Sequence, residues 1–160
     1  MYYLMCKKKP FERNLVKNHS GEYGRHKYWK ILSEGGECWK VENPPVGAPP
    51  LPNNEPVFEG KQFCFVTSYQ SCTKTQIIDL EAEGFIPYVL DELQPIIEIS
   101  HEFKNYGPGL RKISFYHGGA DKLFWAGHYG SKMAGACVYV KIPTRQLHKN
   151  EQTNISLNVD

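Results

Sequence analysis

The sequence predicts an all-β protein, a β-sandwich with one minor helix. Three observations carry that prediction: short runs rich in aromatic and β-branched residues recur along the chain, Gly and Pro clusters separate them, and helical character is limited to one weak turn and one short helix.

Residues 11–18 hold one weak helical turn and then give way to polar and glycine residues, so residues 1–27 are expected to be a lead-in segment. Residues 28–32 (Tyr-Trp-Lys-Ile-Leu) and 38–42 (Cys-Trp-Lys-Val-Glu) have the composition of two short strands, and Ser33-Glu34-Gly35-Gly36-Glu37 suits a hairpin loop between them. Six prolines fall in the stretch from Asn43 to Pro56 inclusive; each lacks the N–H that a central strand must donate, so this stretch is a loop. Its Pro49-Pro50-Leu51-Pro52 fits a Pro-x-x-Pro pattern but has no flanking Arg or Lys. Residues 62–69 predict a strand entering a loop, and residues 75–80 are apolar enough to pack. Gly84 breaks that run before residues 85–93, a short helix with Pro87 in its first turn. Ile97, Ile99, His101 and Phe103 alternate with Glu98, Ser100 and Glu102, which predicts a one-faced strand, and residues 105–109 turn out of it. Residues 112–116 and the alternating Val138, Val140 and Ile142 predict two more strands. From residue 143 to 160 the chain is polar with little to bury, and disorder is expected there.

Composition narrows the function. The 160 residues suit one domain plus tails, and 41% hydrophobic with 13% aromatic content is enough for a core. A net charge of +2 offers no broad attraction to nucleic acid or lipid, and no run approaches the ~20 apolar residues of a membrane helix. Cys6, Cys38, Cys64, Cys72 and Cys137 are odd in number, widely spread and without a Cys-x-x-Cys pair, which predicts reduced thiols in a cytosolic protein rather than a disulfide or zinc framework. No nucleophile motif stands beside a base, so no enzyme is expected and no cofactor is implied.

The candidate site is the stretch His117-Gly118-Gly119-Ala120-Asp121-Lys122-Leu123-Phe124-Trp125-Ala126-Gly127-His128-Tyr129-Gly130 between two predicted strands, hence on a sheet rim. In a glycine-rich loop both Phe124 and Trp125 can turn towards solvent, because Gly supplies backbone conformations that other residues resist. Exposed aromatics beside Asp, Lys and His suit a ligand with an apolar face and a hydroxylated edge, as a sugar has; capping of the sheet core by Trp125 is the competing reading. His117 and Asp121, four apart, suit a loop-ordering contact better than a general base, and His117, Asp121 and His128 fix no metal geometry.

Read in order, Tyr28-Trp29-Lys30-Ile31, Glu37-Cys38-Trp39-Lys40-Val41-Glu42, Phe65-Val66-Thr67-Ser68-Tyr69, Gln76-Ile77-Ile78-Asp79-Leu80-Glu81-Ala82-Glu83-Gly84, Ile99-Ser100-His101-Glu102-Phe103, Tyr106-Gly107-Pro108-Gly109 and His117-Gly118-Gly119 resemble the F-box-associated domain, over about residues 11–142. The resemblance implies a jelly-roll-like antiparallel β-sandwich over residues 28–142. It also implies a substrate-recognition role in an SCF-type ubiquitin ligase receptor, binding the chitobiose core of high-mannose N-glycans on misfolded glycoproteins for endoplasmic-reticulum-associated degradation. The family's sugar contacts carry over to Tyr69, Phe124 and Trp125; the next position is Ala126, where some sugar-binding members have a lysine. Two departures stand out. No F-box pattern precedes residue 11, so Skp1 and cullin are expected as partners only through an F-box supplied elsewhere. The family also places roughly fifty residues between the positions of Pro95 and Ile97, several strands' worth at ~5–6 residues each, so the sandwich is expected to be incomplete, with an internal deletion near 95–97. An interaction scaffold that has lost glycan binding is the alternative.

Overall fold

The computed structural model describes residues 9–99, 102–123 and 125–143. Phe124, Ser100, His101, Cys6 and the tail from residue 144 on lie outside the described residues, and the expected disorder of residues 143–160 falls almost wholly there.

The fold is all-β. Strands β1 (Lys30–Glu34), β4 (Cys72–Asp79) and β7 (Lys112–Gly119) form one antiparallel sheet in the order β1-β4-β7. Strands β2 (Lys40–Glu42), β3 (Cys64–Val66) and β8 (Lys132–Met133) form a second, and β6 (Glu102–Phe103), β5 (Ile97–Glu98) and β9 (Tyr139–Val140) a third. The first two sheets pack face to face. Trp29, leading into β1, meets Phe65 of β3 edge to face with ring centroids 5.8 Å apart, and Trp39, leading into β2, meets Phe65 at 6.2 Å. Edge-to-face contacts of this kind match the positive rim of one ring to the negative face of another. Ile97 of β5 and Val138 and Val140 around β9 close the same core from the third sheet.

Period-two patterning explains the strands. In β4, Cys72, Lys74, Gln76 and Ile78 are buried, whereas Ile77 on the other face is exposed. Gln76 uses its buried amide to hold the chain of Lys17, accepting from its N–H at 2.8 Å and donating to its carbonyl at 2.9 Å. Asn14 does the same for the stretch before β9, donating to the Ala136 carbonyl and accepting from the Val138 N–H. These amides seat residues 14–18, where Leu15 and Val16 are core residues and no helical turn forms. The weak turn expected over 11–18 is replaced by backbone pairing: Glu12 and Leu15 N–H donate to the Val140 and Val138 carbonyls. Outside the core, Glu83 binds both Arg13 and Lys17 at 2.7 Å; burial raises its pKa, but these two cations outweigh that and hold it below the ordinary range.

The structure corrects other expectations. β1 and β2 are not a hairpin, because each pairs with a strand of a different sheet and residues 35–39 form a corner between layers, with Cys38 at φ 66°. The alternation at residues 97–103 belongs to two short strands that pair with each other, Ile97 opposite Phe103 and Glu98 opposite Glu102. Alternation cannot separate the two cases, since period two marks extended chain and not which strand it pairs with. The short helix expected over residues 85–93 is present, with Pro87 in its first turn and a wider, π-type part over Val89–Leu93. Asp91 there binds Arg111 through both oxygens and accepts from the Gly109 N–H, which holds its pKa at about 2. Finally, β7 runs on through His117, Gly118 and Gly119. Those glycines serve close approach: a Cβ at Gly118 would lie 2.9 Å from the Thr73 methyl, and one at Gly119 2.7 Å from the Ser131 hydroxyl.

Candidate functional site

Three chain segments meet beyond the ends of β3 and β7: the 35–39 corner, residues 67–71 and residues 120–131. Ser68 ties them together. Its hydroxyl donates to the Gly127 carbonyl at 3.0 Å and accepts from the Glu37 N–H at 2.9 Å, while its carbonyl accepts from the Asp121 N–H at 3.0 Å. Thr67 adds a second tie, donating its N–H to the Ser131 carbonyl and accepting from the Gly130 N–H. Thr67 and Ser68 are both fully buried, so these polar groups have no water to fall back on and the bonds fix the geometry of the rim.

Asp121 shapes the aromatic loop, its carboxylate accepting from the Leu123 N–H at 3.0 Å and the Trp125 N–H at 3.1 Å. The loop so held leaves Trp125 62% exposed, so Trp125 does not cap the core. Tyr129, 67% exposed, stands edge to face with it at 6.2 Å and 84°. Tyr69 is half-buried on the neighbouring segment, its ring so close to Gly36 that a Cβ there would come within 2.9 Å. Ala126 is exposed beside Trp125. The structure thus brings Tyr69, Trp125 and Ala126 onto hydrogen-bonded neighbouring segments; Phe124 lies outside the described residues.

His117 and Asp121 do not come together. His117 lies in β7 with its ring 5.0 Å from that of Trp39, so of the two it is Asp121 that orders the loop. His128 instead meets the corner, with Nε2 3.2 Å from the Glu37 carbonyl. Among the described residues no cluster of His, Cys, Asp and Glu is placed to hold a metal ion. Tyr129, Leu123 and Glu37 are rim residues that sequence reasoning passed over. An aromatic four residues after Trp125, between two glycines of the same loop, was the available signal for Tyr129. A cavity of about 350 Å³ lies elsewhere, between Asn18, Tyr23 and Tyr28 on one side and Phe58 and Lys61 on the other, and shares no residue with the rim.

The rim depends on Gly130. A Cβ there would overlap the Thr67 hydroxyl and lie 2.8 Å from the Thr67 carbonyl, backbone that cannot swing aside. Gly130→Ala is expected to cost about 1–3 kcal/mol through overpacking. Amide NMR shifts should change over residues 67–71 and 120–131 while those of β4 stay in place; unchanged rim shifts would count against the packing argument.

The family model described as the F-box associated region matches residues 6–100 and 96–140. The chain belongs to the F-box associated family. Among its relatives, F-box only protein 6 of Bos taurus is 33% identical over 189 residues, taking in 88% of this chain and 68% of the relative. F-box only protein 6 of Rattus norvegicus is 30% identical, over 96% of this chain and 71% of the relative, and F-box only protein 44 of Homo sapiens 29% identical, over 82% and 69%. The bovine alignment is longer than the 160 residues of this F-box associated chain, so the relative holds residues between matched positions that have no counterpart here. No helix among the described residues is long and apolar enough to cross a membrane.

Proposed function

We propose that this chain is a substrate-recognition module of an SCF-type ubiquitin ligase receptor. In this reading it acts in the cytosol, in endoplasmic-reticulum-associated degradation, and its rim takes the chitobiose core of high-mannose N-glycans on misfolded glycoproteins. It is a binding component with no catalytic residues of its own, and an F-box outside these 160 residues supplies the link to Skp1 and cullin. Membership of the F-box associated family supports the ligase role. The observation that carries the ligand is the exposed Trp125, held in place by Asp121 and flanked by Tyr129 on a rim tied to the Tyr69 segment. A pyranose ring lays its C–H face on such a ring, and the polar groups around it set its orientation. Phe124 and Ala126 complete the proposed contact, Ala126 adding surface but no hydrogen bond from its side chain.

Titration of the 160-residue chain with chitobiose, followed by amide NMR, tests this reading. Peaks around Tyr69, Trp125 and Ala126 are expected to shift. Trp125→Ala is expected to weaken binding by tenfold or more, equivalent to about 1.4 kcal/mol or more, without moving core peaks. A dispersed spectrum that ignores the sugar would favour the alternative, a non-catalytic interaction scaffold that has lost glycan binding.

A further inference from the structure

The cavity of about 350 Å³ set apart from the rim is walled by residues from two stretches outside the strands, 14–28 and 57–63. Asn18, itself buried, fixes the first of them. Its side chain donates to the Gly24 and Lys27 carbonyls and accepts from the Tyr23 N–H, while its own carbonyl accepts from the Trp29 indole. These bonds hold Asn18 at φ 53°, a left-handed backbone that asparagine tolerates better than most residues. The loop so fixed sets Tyr23 and Tyr28 edge to face on the cavity, with ring centroids 6.3 Å apart and both rings more than half exposed. Val57, Phe58 and Phe63 supply apolar surface from the other stretch.

Glu22 lines the same cavity with its side chain only 11% exposed. One of its oxygens accepts from the Ser20 N–H at 3.0 Å, and the other stands 3.8 Å from His19 Nε2, too far for a hydrogen bond. A carboxylate has about four acceptor sites, so Glu22 keeps the capacity to take further donors. The two lysines of the lining are held by other acids, Lys17 Nζ at 2.7 Å from Glu83 and Lys61 Nζ at 2.6 Å from Glu59. A largely buried carboxylate beside aromatic rings is met most strongly by a cation that also donates hydrogen bonds.

We propose that this cavity is a binding site separate from the rim, taking the side chain of an arginine on a partner polypeptide. The guanidinium donates to Glu22 from its planar fork and stacks on Tyr23, since Tyr28 already carries the Lys27 amine 5.3 Å from its ring centre. The apolar stem of the arginine lies along Val57, Phe58 and Phe63. Lysine, a compact and strongly hydrated point charge, cannot stack on a ring and fork to a carboxylate in the same way. The volume is at the small end of the ~300–1,000 Å³ of ligand pockets, which suits a single side chain. The proposal stands independently of glycan binding.

Amide NMR on the full 160-residue chain tests it, with the peptide acetyl-Ala-Ala-Arg-Ala-Ala-amide as probe. Peaks of residues 18–23 and 57–63 are expected to shift while those around Trp125 stay in place. The same peptide with citrulline for arginine, alike in shape but uncharged, is expected to bind roughly tenfold or more weakly, and the lysine peptide several-fold more weakly. Glu22→Gln keeps an oxygen for the Ser20 N–H, so the loop is retained, and it is expected to lower affinity for the arginine peptide by roughly tenfold or more. Tyr23→Ala is expected to lower it several-fold and Tyr23→Phe to leave it unchanged. Equal affinity for the arginine and citrulline peptides on the unmodified chain would overturn the proposal. So would equal binding of the lysine peptide, an unchanged affinity of Glu22→Gln, or a spectrum in which residues 18–23 and 57–63 do not respond.

Discussion

Lys74→Met is expected to stabilise the fold by about 1–4 kcal/mol near neutral pH and to flatten its alkaline pH dependence. Lys74 is 0% exposed on β4, and its Nζ has no hydrogen-bond partner among the described residues. It lies instead among three rings, 4.3 Å from the centre of Trp29, 4.5 Å from Trp39 and 2.6 Å from Phe65. Burial pushes its pKa down to about 6. The ring faces favour the protonated form and act against that shift, but they replace only part of the hydration an ammonium loses. Between pH 6 and 10.5 the unfolded chain therefore holds a proton on Lys74 that the folded chain lacks, so stability rises with pH across this window. The slope reaches at most about 1.4 kcal/mol per pH unit. Below pH 6 both states are protonated and the contribution is level. His117, the cross-strand partner of Lys74, has its pKa lowered to about 4, first by burial and then by the lysine, so its own loss of stability falls between pH 6.5 and 4. Urea unfolding from pH 6.5 to 9.5 should show a rising midpoint for the parent chain and a nearly level one for Lys74→Met. Equal slopes for the two proteins would rule out a neutral buried amine.

The largest loss is expected from Phe65→Ala, about 3–5 kcal/mol, which is comparable with the whole stability of many domains. Phe65 is fully buried in β3 and is the ring on which Trp29, Trp39 and the Lys74 amine converge. Truncating it leaves a cavity between the two facing sheets, and two tryptophans cannot close that cavity without leaving their own contacts. The effect should depend on Lys74. A cavity beside the amine admits water that solvates it, so part of the penalty on Lys74 disappears in the Phe65→Ala background. Lys74→Met is then expected to stabilise that background less than the parent, a coupling of about 0.5–3 kcal/mol in a double-mutant cycle. Additive effects would mean that the ring and the amine do not sense each other.

Legibility in the sequence differed from element to element. The aromatic strand at residues 62–69 was plain, and β3 occupies Cys64–Val66 within it. Trp125 was singled out from its glycine setting, and the structure leaves it exposed. Tyr129 shares that glycine setting four residues on, but its edge-to-face contact with Trp125 is a tertiary fact that the setting alone does not give. The glycines at 118 and 119 invited a loop reading because Gly usually marks turns, but here the absence of a side chain allows Thr73 and Ser131 to approach an extended strand.

What the sequence determined by itself is local: the alternation of apolar and polar residues that makes strands, the proline run that cannot, and the succession of motifs that marks the F-box associated family. Each of these depends on neighbours a few residues apart, so it survives without a fold. Tertiary structure alone decided the partners. It sent β1 and β2 to different sheets, folded residues 97–103 back on themselves, and enclosed Lys74 in a cage of rings from both layers. It also joined the Tyr69 segment to the Trp125 loop through Ser68. Strand pairing and burial couple residues tens of positions apart through hydrogen bonds and excluded water, and a linear pattern holds no term for either.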